Sequence, residues 1–256
     1  MQARIVSPLH GVRWLGEGWR LFRAAPLAWL VIVFGYYLLI SVVSVLPFVG
    51  FAAALVSVPA FSVSLMAAAR AAACHAPVHP ALLFEGFRHQ LAWQLVLGVV
   101  YLACVWGVGA LTALATDLTA LRALLSGEER IDEAGEMQQL LRPVGVALLL
   151  YTPVMMSFWF APLLAAWHST APAKALFFSF VACLINWRAF LAYGATLVLA
   201  IAALSFLTRA VLGLLSGGAA ASDPALIAGP LAILFMPTLY ASFYASYRDV
   251  FGGEPV

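Results

Sequence analysis

The chain has 256 residues; 64% of them belong to the apolar, aromatic and cysteine classes and only 9% are charged. Soluble domains average roughly 45–50% apolar and about 25% charged residues, so this composition excludes a water-soluble fold and predicts an integral membrane protein. A formal net charge of +2, without a basic stripe outside the membrane flanks, excludes a nucleic-acid-binding protein. The three cysteines, Cys74, Cys104 and Cys183, have no paired spacing that would indicate a disulfide framework.

The first predicted element is an amphipathic helix near the end of a cytoplasmic segment, residues 1–25. Its apolar stripe consists of Trp14, Leu15, Gly18, Trp19 and Phe22, and the charged residues lie largely elsewhere. Tryptophan and arginine beside a first span are typical of a helix in the lipid headgroup layer. We interpret it as an orientation anchor, with a docking helix for a partner or for anionic lipid as the alternative.

Long stretches without charge predict six transmembrane helices, because one crossing takes about 20 residues. The run between Arg23 and Arg70 is long enough for two crossings, with a turn at Pro47-Phe48-Val49-Gly50. The spans are predicted near residues 27–46, 49–69, 92–116, 144–167, 189–212 and 225–247. The predicted fold class is therefore all-α, a helical bundle in a single membrane domain over residues 1–256.

The basic residues predict that both termini are cytoplasmic, because basic residues are enriched in cytoplasmic loops. The inner face would carry Arg4, Arg13, Arg20, Arg23, Arg70, Arg88, Lys174, Arg188 and Arg248. The outer face would carry Arg122, Arg130, Arg142 and Arg209. The predicted location is the bacterial inner membrane, with the lipid bilayer as the one identified partner.

Three repeated helix hairpins are predicted from two internal similarities. The segment Pro80–Phe87 parallels Pro172–Phe180 with one inserted residue. Pro59 and Pro237 each stand eleven residues before an arginine, and Pro162 holds the same place in the fourth span. Such parallel copies indicate a shared origin and differ from the inverted repeats of many transporters.

The prolines within the predicted spans remove backbone donors and bend the helices. They are Pro59, Pro153, Pro162, Pro230 and Pro237. Their simplest role is to shape the packing. The alternative is that bent spans two, four and six line a central cavity or a lateral opening.

The largest polar segment, residues 117–142, predicts an acidic periplasmic cap built as a short helical hairpin. Five of its acidic side chains are clustered: Glu128, Glu129, Asp132, Glu133 and Glu136. A divalent cation could bind these oxygens, but the acidic loop pattern of calcium sites is missing, so a solvated charged face is the simpler interpretation.

No catalytic, cofactor-binding or metal site is predicted. Ionisable groups deep in a membrane mark function, and the sequence places none there. The polar residues within the spans are hydroxyls, which mostly bond back to helix carbonyls: Ser41, Ser44, Ser57, Ser62, Ser64, Thr112, Ser157, Thr196 and Ser205. The strongest ligand cluster is Cys74, His75 and His79, with His89 beyond, whose sulfur and nitrogen donors suit zinc. Two loop prolines disrupt that spacing, which favours ordinary loop histidines.

The pattern of helix-end residues resembles a family of uncharacterised proteobacterial multi-pass inner-membrane proteins. The residues that carry the resemblance are Gly11, Trp14, Trp19, Phe22, Pro26, Leu46-Pro47, Gly50, Ala175–Ser179 and Asn186-Trp187-Arg188. The chain is also loosely similar to the membrane domain found with some glycerophosphodiester phosphodiesterases, but it lacks their catalytic domain. The resemblance implies a fold and no mechanism.

The sequence therefore favours a non-enzymatic protein, an accessory or scaffold in envelope or membrane homeostasis, without a cofactor and with an unknown protein partner. The alternative is a carrier or channel for an apolar or amphipathic solute. A third hypothesis is a membrane enzyme that acts at the inner interface through His75, His79 or Glu85.

Overall fold

The structure is a computed structural model that describes residues 3–116, 135–216 and 224–252. Within these ranges, the side chains of residues 135–140, 215–216 and 224–234 lie outside the description. The helices are α1 (Pro8–Ala24), α2 (Pro26–Ser44), α3 (Gly50–Ala73), a 3₁₀ helix (Pro80–Phe87), α4 (Leu91–Ala115), α5 (Gly135–Phe158), α6 (Ala161–His168), α7 (Pro172–Ile185), α8 (Trp187–Ser216) and α9 (Pro224–Phe251).

The all-helical prediction is confirmed, since every regular element in the described ranges is helical. Five stretches are long and apolar enough to cross a membrane: Pro26–Ser44, Gly50–Ala73, Leu91–Ala115, Leu141–His168 and Trp187–Leu214. The sixth predicted span, residues 225–247, falls within the backbone helix α9, whose side chains are described only from Phe235 onwards.

The first and last described residues lie together at one end of the bundle. The amide of Arg4 donates a hydrogen bond of 2.7 Å to the carbonyl of Val250. A chain that begins and finishes at the same end crosses the bundle an even number of times, which agrees with α9 as the sixth crossing. We call this the terminal end. Its cytoplasmic orientation stays a prediction.

The N-terminal amphipathic helix forms as α1, and its apolar stripe packs against α8 and α9. Trp14 is fully buried, and Gly18 and Phe22 are buried beside it, whereas Trp19 is 43% exposed. A methyl group at Gly11 would lie 2.0 Å from the carbonyl oxygen of Ala189 on α8. Glycine is therefore required where these backbones approach.

Two short helices pack on the crossings in a matching register, while the threefold repeat itself stays a prediction. A methyl group at Gly18 on α1 would lie 2.3 Å from the carbonyl oxygen of Thr238, one residue after Pro237. A methyl group at Gly86 on the 3₁₀ helix would lie 1.9 Å from the carbonyl oxygen of Ala60, one residue after Pro59. The same register relative to proline thus positions two short helices, each on a crossing from another repeat.

The fourth crossing departs from its predicted form, a single helix over residues 144–167. Helix α5 ends at Phe158, and α6 begins at Ala161 with Pro162 in its first turn. Proline has no backbone N–H to donate and is favoured at the start of a helix, so this crossing is broken where a bend was predicted. Pro59, by contrast, lies inside the continuous helix α3.

Candidate functional site

The break in the fourth crossing is stabilised by the hydroxyl group of one residue on α7, Ser179. Ser179 is fully buried, and its Oγ accepts a hydrogen bond of 2.9 Å from the amide of Phe160. The same hydroxyl donates a hydrogen bond of 2.7 Å to the carbonyl of Met156. These two main-chain groups would bond directly in an unbroken helix, so Ser179 inserts into the helical ladder and replaces one of its bonds.

A buried glutamine also stabilises the break. The side-chain amide of Gln94 on α4 donates a hydrogen bond of 3.0 Å to the carbonyl of Pro162. Gln94 is completely buried, and its Oε1 accepts no hydrogen bond from the described residues. Neighbouring polar side chains of this kind allow a broken helix to exist at membrane depth.

An apolar cavity of about 260 Å³ lies beside the break, between α3, α4, α5, α6 and α9. Its wall comprises Val58, Pro59, Ser62, Leu65, Met66, Tyr101, Tyr151, Met155, Phe158, Trp159, Pro162, Leu163, Tyr240 and Phe243. Met155 is 42% exposed, so the cavity reaches the lateral surface of the bundle. The even-numbered spans do line a cavity, as the alternative interpretation of the prolines proposed.

The polar atoms of this wall bond mainly to other protein groups. The hydroxyls of Tyr101 and Tyr151 share a hydrogen bond of 2.8 Å between α4 and α5. The indole nitrogen of Trp159 donates to Ser246 Oγ over 3.1 Å, and Ser62 donates to the carbonyl of Val58. An occupant would therefore meet a largely apolar wall with a tyrosine pair at one side.

A larger terminal pocket of about 1050 Å³ opens at the terminal end. Its lining includes Arg4, Arg70, Cys74, Glu85, His89, Trp167, His168, Tyr244 and Tyr247. The guanidinium of Arg70 lies 5.4 Å from the ring centroid of Trp167, a cation–π arrangement that orients it. Glu85 pairs with His89 at 2.9 Å and with Arg88 at 3.6 Å.

The two spaces follow one another along the same three helices. On α3 the lining passes from Met66 in the apolar cavity to Ala67 in the terminal pocket. On α9 it passes from Phe243 to Tyr244, and on α6 from Leu163 to Ala166 within one turn. The terminal pocket therefore shares three helices with the apolar cavity, and the fully buried Leu164 and Ala165 lie between the two linings on α6.

The sequence-predicted loop residues only partly meet in the structure. Cys74, Glu85 and His89 line the terminal pocket, whereas His75 and His79 do not. Among the described residues, no three His, Cys, Asp or Glu side chains form a group that could hold a metal ion. The structure therefore does not assemble the candidate zinc ligands.

The candidate cation site on the acidic cap cannot be placed. Glu128, Glu129, Asp132 and Glu133 lie outside the described residues, and so does the side chain of Glu136.

Comparison with known proteins identifies a relative of this chain. No protein-family model and no solved structure matches the chain. It is similar to a probable inner membrane protein of Burkholderia thailandensis, 37% identical over 258 residues that cover 98% of this chain and 94% of the relative. The chain belongs to the family of that inner membrane protein. The predicted membrane class and family resemblance are confirmed at this level, while the link to phosphodiesterase membrane domains finds no support.

Several residues central to the site were missed from the sequence. Gln94, Tyr101 and Tyr151 lie within predicted spans, and a polar side chain inside an apolar crossing was the available signal. Asn186, the one asparagine of the sequence, was noted only as part of a resemblance. It is buried, and it clamps the N-terminal segment to the start of α8.

Proposed function

We propose that this family member is a carrier that binds an amphipathic or apolar solute in the cavity beside the broken fourth crossing. The observation that carries the proposal is the coincidence of the break with the cavity, since Trp159 and Pro162 belong to both. Broken helices near the membrane midplane form the solute sites of many secondary transporters. Breaking a crossing costs backbone hydrogen bonds, and the Ser179 hydroxyl bonds both main-chain groups that the break separates, the Phe160 amide and the Met156 carbonyl.

The lateral opening suits a solute that enters from the lipid phase. Met155 faces outward and also lines the cavity, so a molecule in the bilayer can reach the cavity without crossing water. The wall offers apolar contact area, whose burial contributes roughly 25 cal/mol per Å². This favours molecules with a hydrocarbon chain.

The accessory or scaffold role remains the other candidate from the sequence, and it stays a prediction. It was favoured because no chemical site was evident, whereas the cavity is a positive feature that a scaffold does not need. We retain the non-enzymatic assignment within the carrier proposal.

The proposal is tested by filling the cavity. In proteoliposomes, an NBD-labelled monoacylglycerol moving between leaflets is followed by dithionite quenching. Ser62→Phe adds a ring to the cavity wall and should reduce protein-dependent movement at least tenfold. Thr152→Phe is the matched control, because Thr152 also bonds back to a helix carbonyl but is exposed on α5. Equal rates for the wild type and Ser62→Phe, or no protein-dependent movement at all, would overturn the proposal.

A further inference from the structure

Two tyrosines on the wall of the apolar cavity are bonded hydroxyl to hydroxyl. Tyr101 on α4 and Tyr151 on α5 both line the cavity, and their hydroxyl oxygens are 2.8 Å apart. A tyrosine hydroxyl carries one proton to donate and can also accept a hydrogen bond. The two hydroxyls therefore hold two protons, and the bond between them uses one. The pair retains one O–H group that can donate to a third partner.

The described part of the chain supplies no third partner. Neither hydroxyl makes a further hydrogen bond to a described residue. Tyr101 lies near the middle of the crossing Leu91–Ala115, and Tyr151 lies inside the crossing Leu141–His168. The bilayer core offers no water to such a donor, and an unsatisfied polar group is costly there. An acceptor atom on a molecule in the cavity would satisfy this O–H group.

The pair lies on the side of the cavity that opens laterally. Tyr151, Met155 and Phe158 are spaced along one face of α5, and all three line the cavity. Met155 is the exposed residue of this face. The ring of Phe158 meets the ring of Tyr101 edge-on, with the ring centroids 5.1 Å apart. Because this contact positions the Tyr101 ring, less conformational freedom is lost when the hydroxyl pair binds a solute.

The rest of the wall restricts the chemistry of the solute. None of the described residues that line the cavity is charged, so an ionised group would lose its hydration without gaining an opposite charge. Trp159 and Ser62 already donate their protons to protein groups. Tyr240 is paired at 3.0 Å with Tyr37, which is not part of the lining. The wall therefore favours a neutral solute that accepts a hydrogen bond at the Tyr101–Tyr151 pair.

We infer that this tyrosine pair donates a hydrogen bond to a carbonyl oxygen of the solute, in an ester or a ketone. The inference rests on the proposed function and adds the solute class to it, an uncharged molecule with a hydrocarbon chain and a carbonyl group. A pure hydrocarbon would leave the O–H group without a partner. Tyr101 and Tyr151 are then the residues that determine specificity.

The test compares two pyrene-labelled probes of equal chain length. One is an alkane, and the other is the same chain with a ketone at its middle. Binding to the protein in nanodiscs is measured by energy transfer from tryptophan to pyrene, since Trp159 lines the cavity. The wild type should bind the ketone about fivefold more tightly than the alkane, the effect of one neutral hydrogen bond.

Phenylalanine variants separate the free proton from the bond between the helices. The double variant Y101F/Y151F removes both hydroxyls and keeps both rings, so it should bind the two probes equally and the alkane as tightly as the wild type does. Each single variant, Y101F or Y151F, also breaks the bond between α4 and α5 but leaves one hydroxyl with its proton. The single variants should therefore keep most of the preference.

Tyr37→Phe is the matched control. It breaks the hydroxyl pair between α2 and α9 but leaves every residue of the cavity wall unchanged. It should keep the full preference for the ketone.

The contradicting results are distinct. Equal binding of the two probes by the wild type overturns the hydrogen bond to the solute and leaves the carrier proposal standing. A preference that survives in Y101F/Y151F overturns the assignment to these tyrosines. Weaker alkane binding by the double variant, or an equal loss of preference in the single and double variants, overturns it as well, because the pair would then be structural. If the wild type binds neither probe, the proposed function itself fails.

Discussion

The side-chain amide of Gln94 reaches across 3.0 Å to the main-chain carbonyl of Pro162. This bond joins the fourth residue of α4 to the first turn of α6, at the point where the fourth crossing is interrupted. The carbonyl of Pro162 lies in the first turn of α6, so the Gln94 amide adds a second hydrogen bond to it and ties α4 to the start of this helix. Gln94 therefore contributes to the site by supporting the backbone that shapes it.

Shortening this side chain should destabilise the bundle. Gln94→Asn removes one methylene, so the side-chain amide no longer reaches the carbonyl of Pro162. The buried amide nitrogen then lacks a hydrogen-bond partner, as the amide oxygen of Gln94 already does. We expect a loss of about 1–3 kcal/mol in the free energy of unfolding, measured by denaturant titration in mixed micelles. Gln90→Asn is the control, since Gln90 bonds to Ser169 at the exposed surface and should cost less than about 0.5 kcal/mol. Equal effects of the two changes would contradict the assigned role.

The close approach of the short helices to the crossings predicts a sharp glycine dependence. Gly86→Ala places a methyl group 1.9 Å from the Ala60 carbonyl, so the 3₁₀ helix must move away from α3. We expect about 1–3 kcal/mol of destabilisation in the same titration. Gly107→Ala on α4 has no neighbouring atom within 4 Å of the new methyl group and should be neutral or stabilising by up to about 1 kcal/mol. A neutral Gly86→Ala would show that this packing is wrong.

Making the fourth crossing one continuous helix should close the apolar cavity. In the double variant S179A/P162A, Phe160 can bond directly to Met156, and residue 162 regains a backbone N–H. We expect protein-dependent probe movement to fall at least fivefold while the thermal midpoint is unchanged or higher. The control S157A/P153A alters a similar pair on α5, where Ser157 donates to the carbonyl of Pro153. It should retain the wild-type rate, and an equal loss in both double variants would contradict a role for the break.

The N-terminal segment depends on one buried side chain. Asn186 accepts a hydrogen bond from the amide of Val6 and donates to the carbonyls of Arg4 and Ala182. Asn186→Asp keeps the acceptor but sets a carboxylate against two carbonyls. Hydrogen exchange at residues 5–7 should then become at least tenfold faster, with little change in α4. Unchanged exchange at these amides would show that other contacts hold the segment.

Orientation can be tested with the native cysteines. Cys74 is exposed and lines the terminal pocket, whereas Cys183 is buried. With Cys104 and Cys183 changed to Ala, an impermeant maleimide should label Cys74 in inverted membrane vesicles and not in intact spheroplasts. A Thr116→Cys variant at the far end of α4 should show the opposite pattern. Labelling of Cys74 from outside would reverse the predicted topology.

The positions of the crossings could be predicted from the sequence, because the spacing of charged residues along the chain marks where each crossing begins and ends. Uncharged runs located the crossings within a few residues, and the prolines at positions 59, 162 and 237 indicated both the repeats and the helices around the cavity. The helix break could not be predicted from the sequence, because it depends on Ser179 of another helix, whose hydroxyl inserts between Phe160 and Met156. The terminal pocket could not be predicted for the same reason, since Arg4 and Arg70 are distant in sequence and line one pocket only in the folded chain.

The placement of α1 also has a consequence for how the protein is made. This helix leaves the ribosome before α8 and α9, yet Gly11 and Gly18 on its buried face fit against Ala189 on α8 and Thr238 on α9. Its docking site therefore does not exist until α9 has entered the bilayer. Before α8 and α9 are in place, no protein surface covers Trp14. An amphipathic helix such as α1 is stable at the lipid interface, so it can bind there until the bundle assembles.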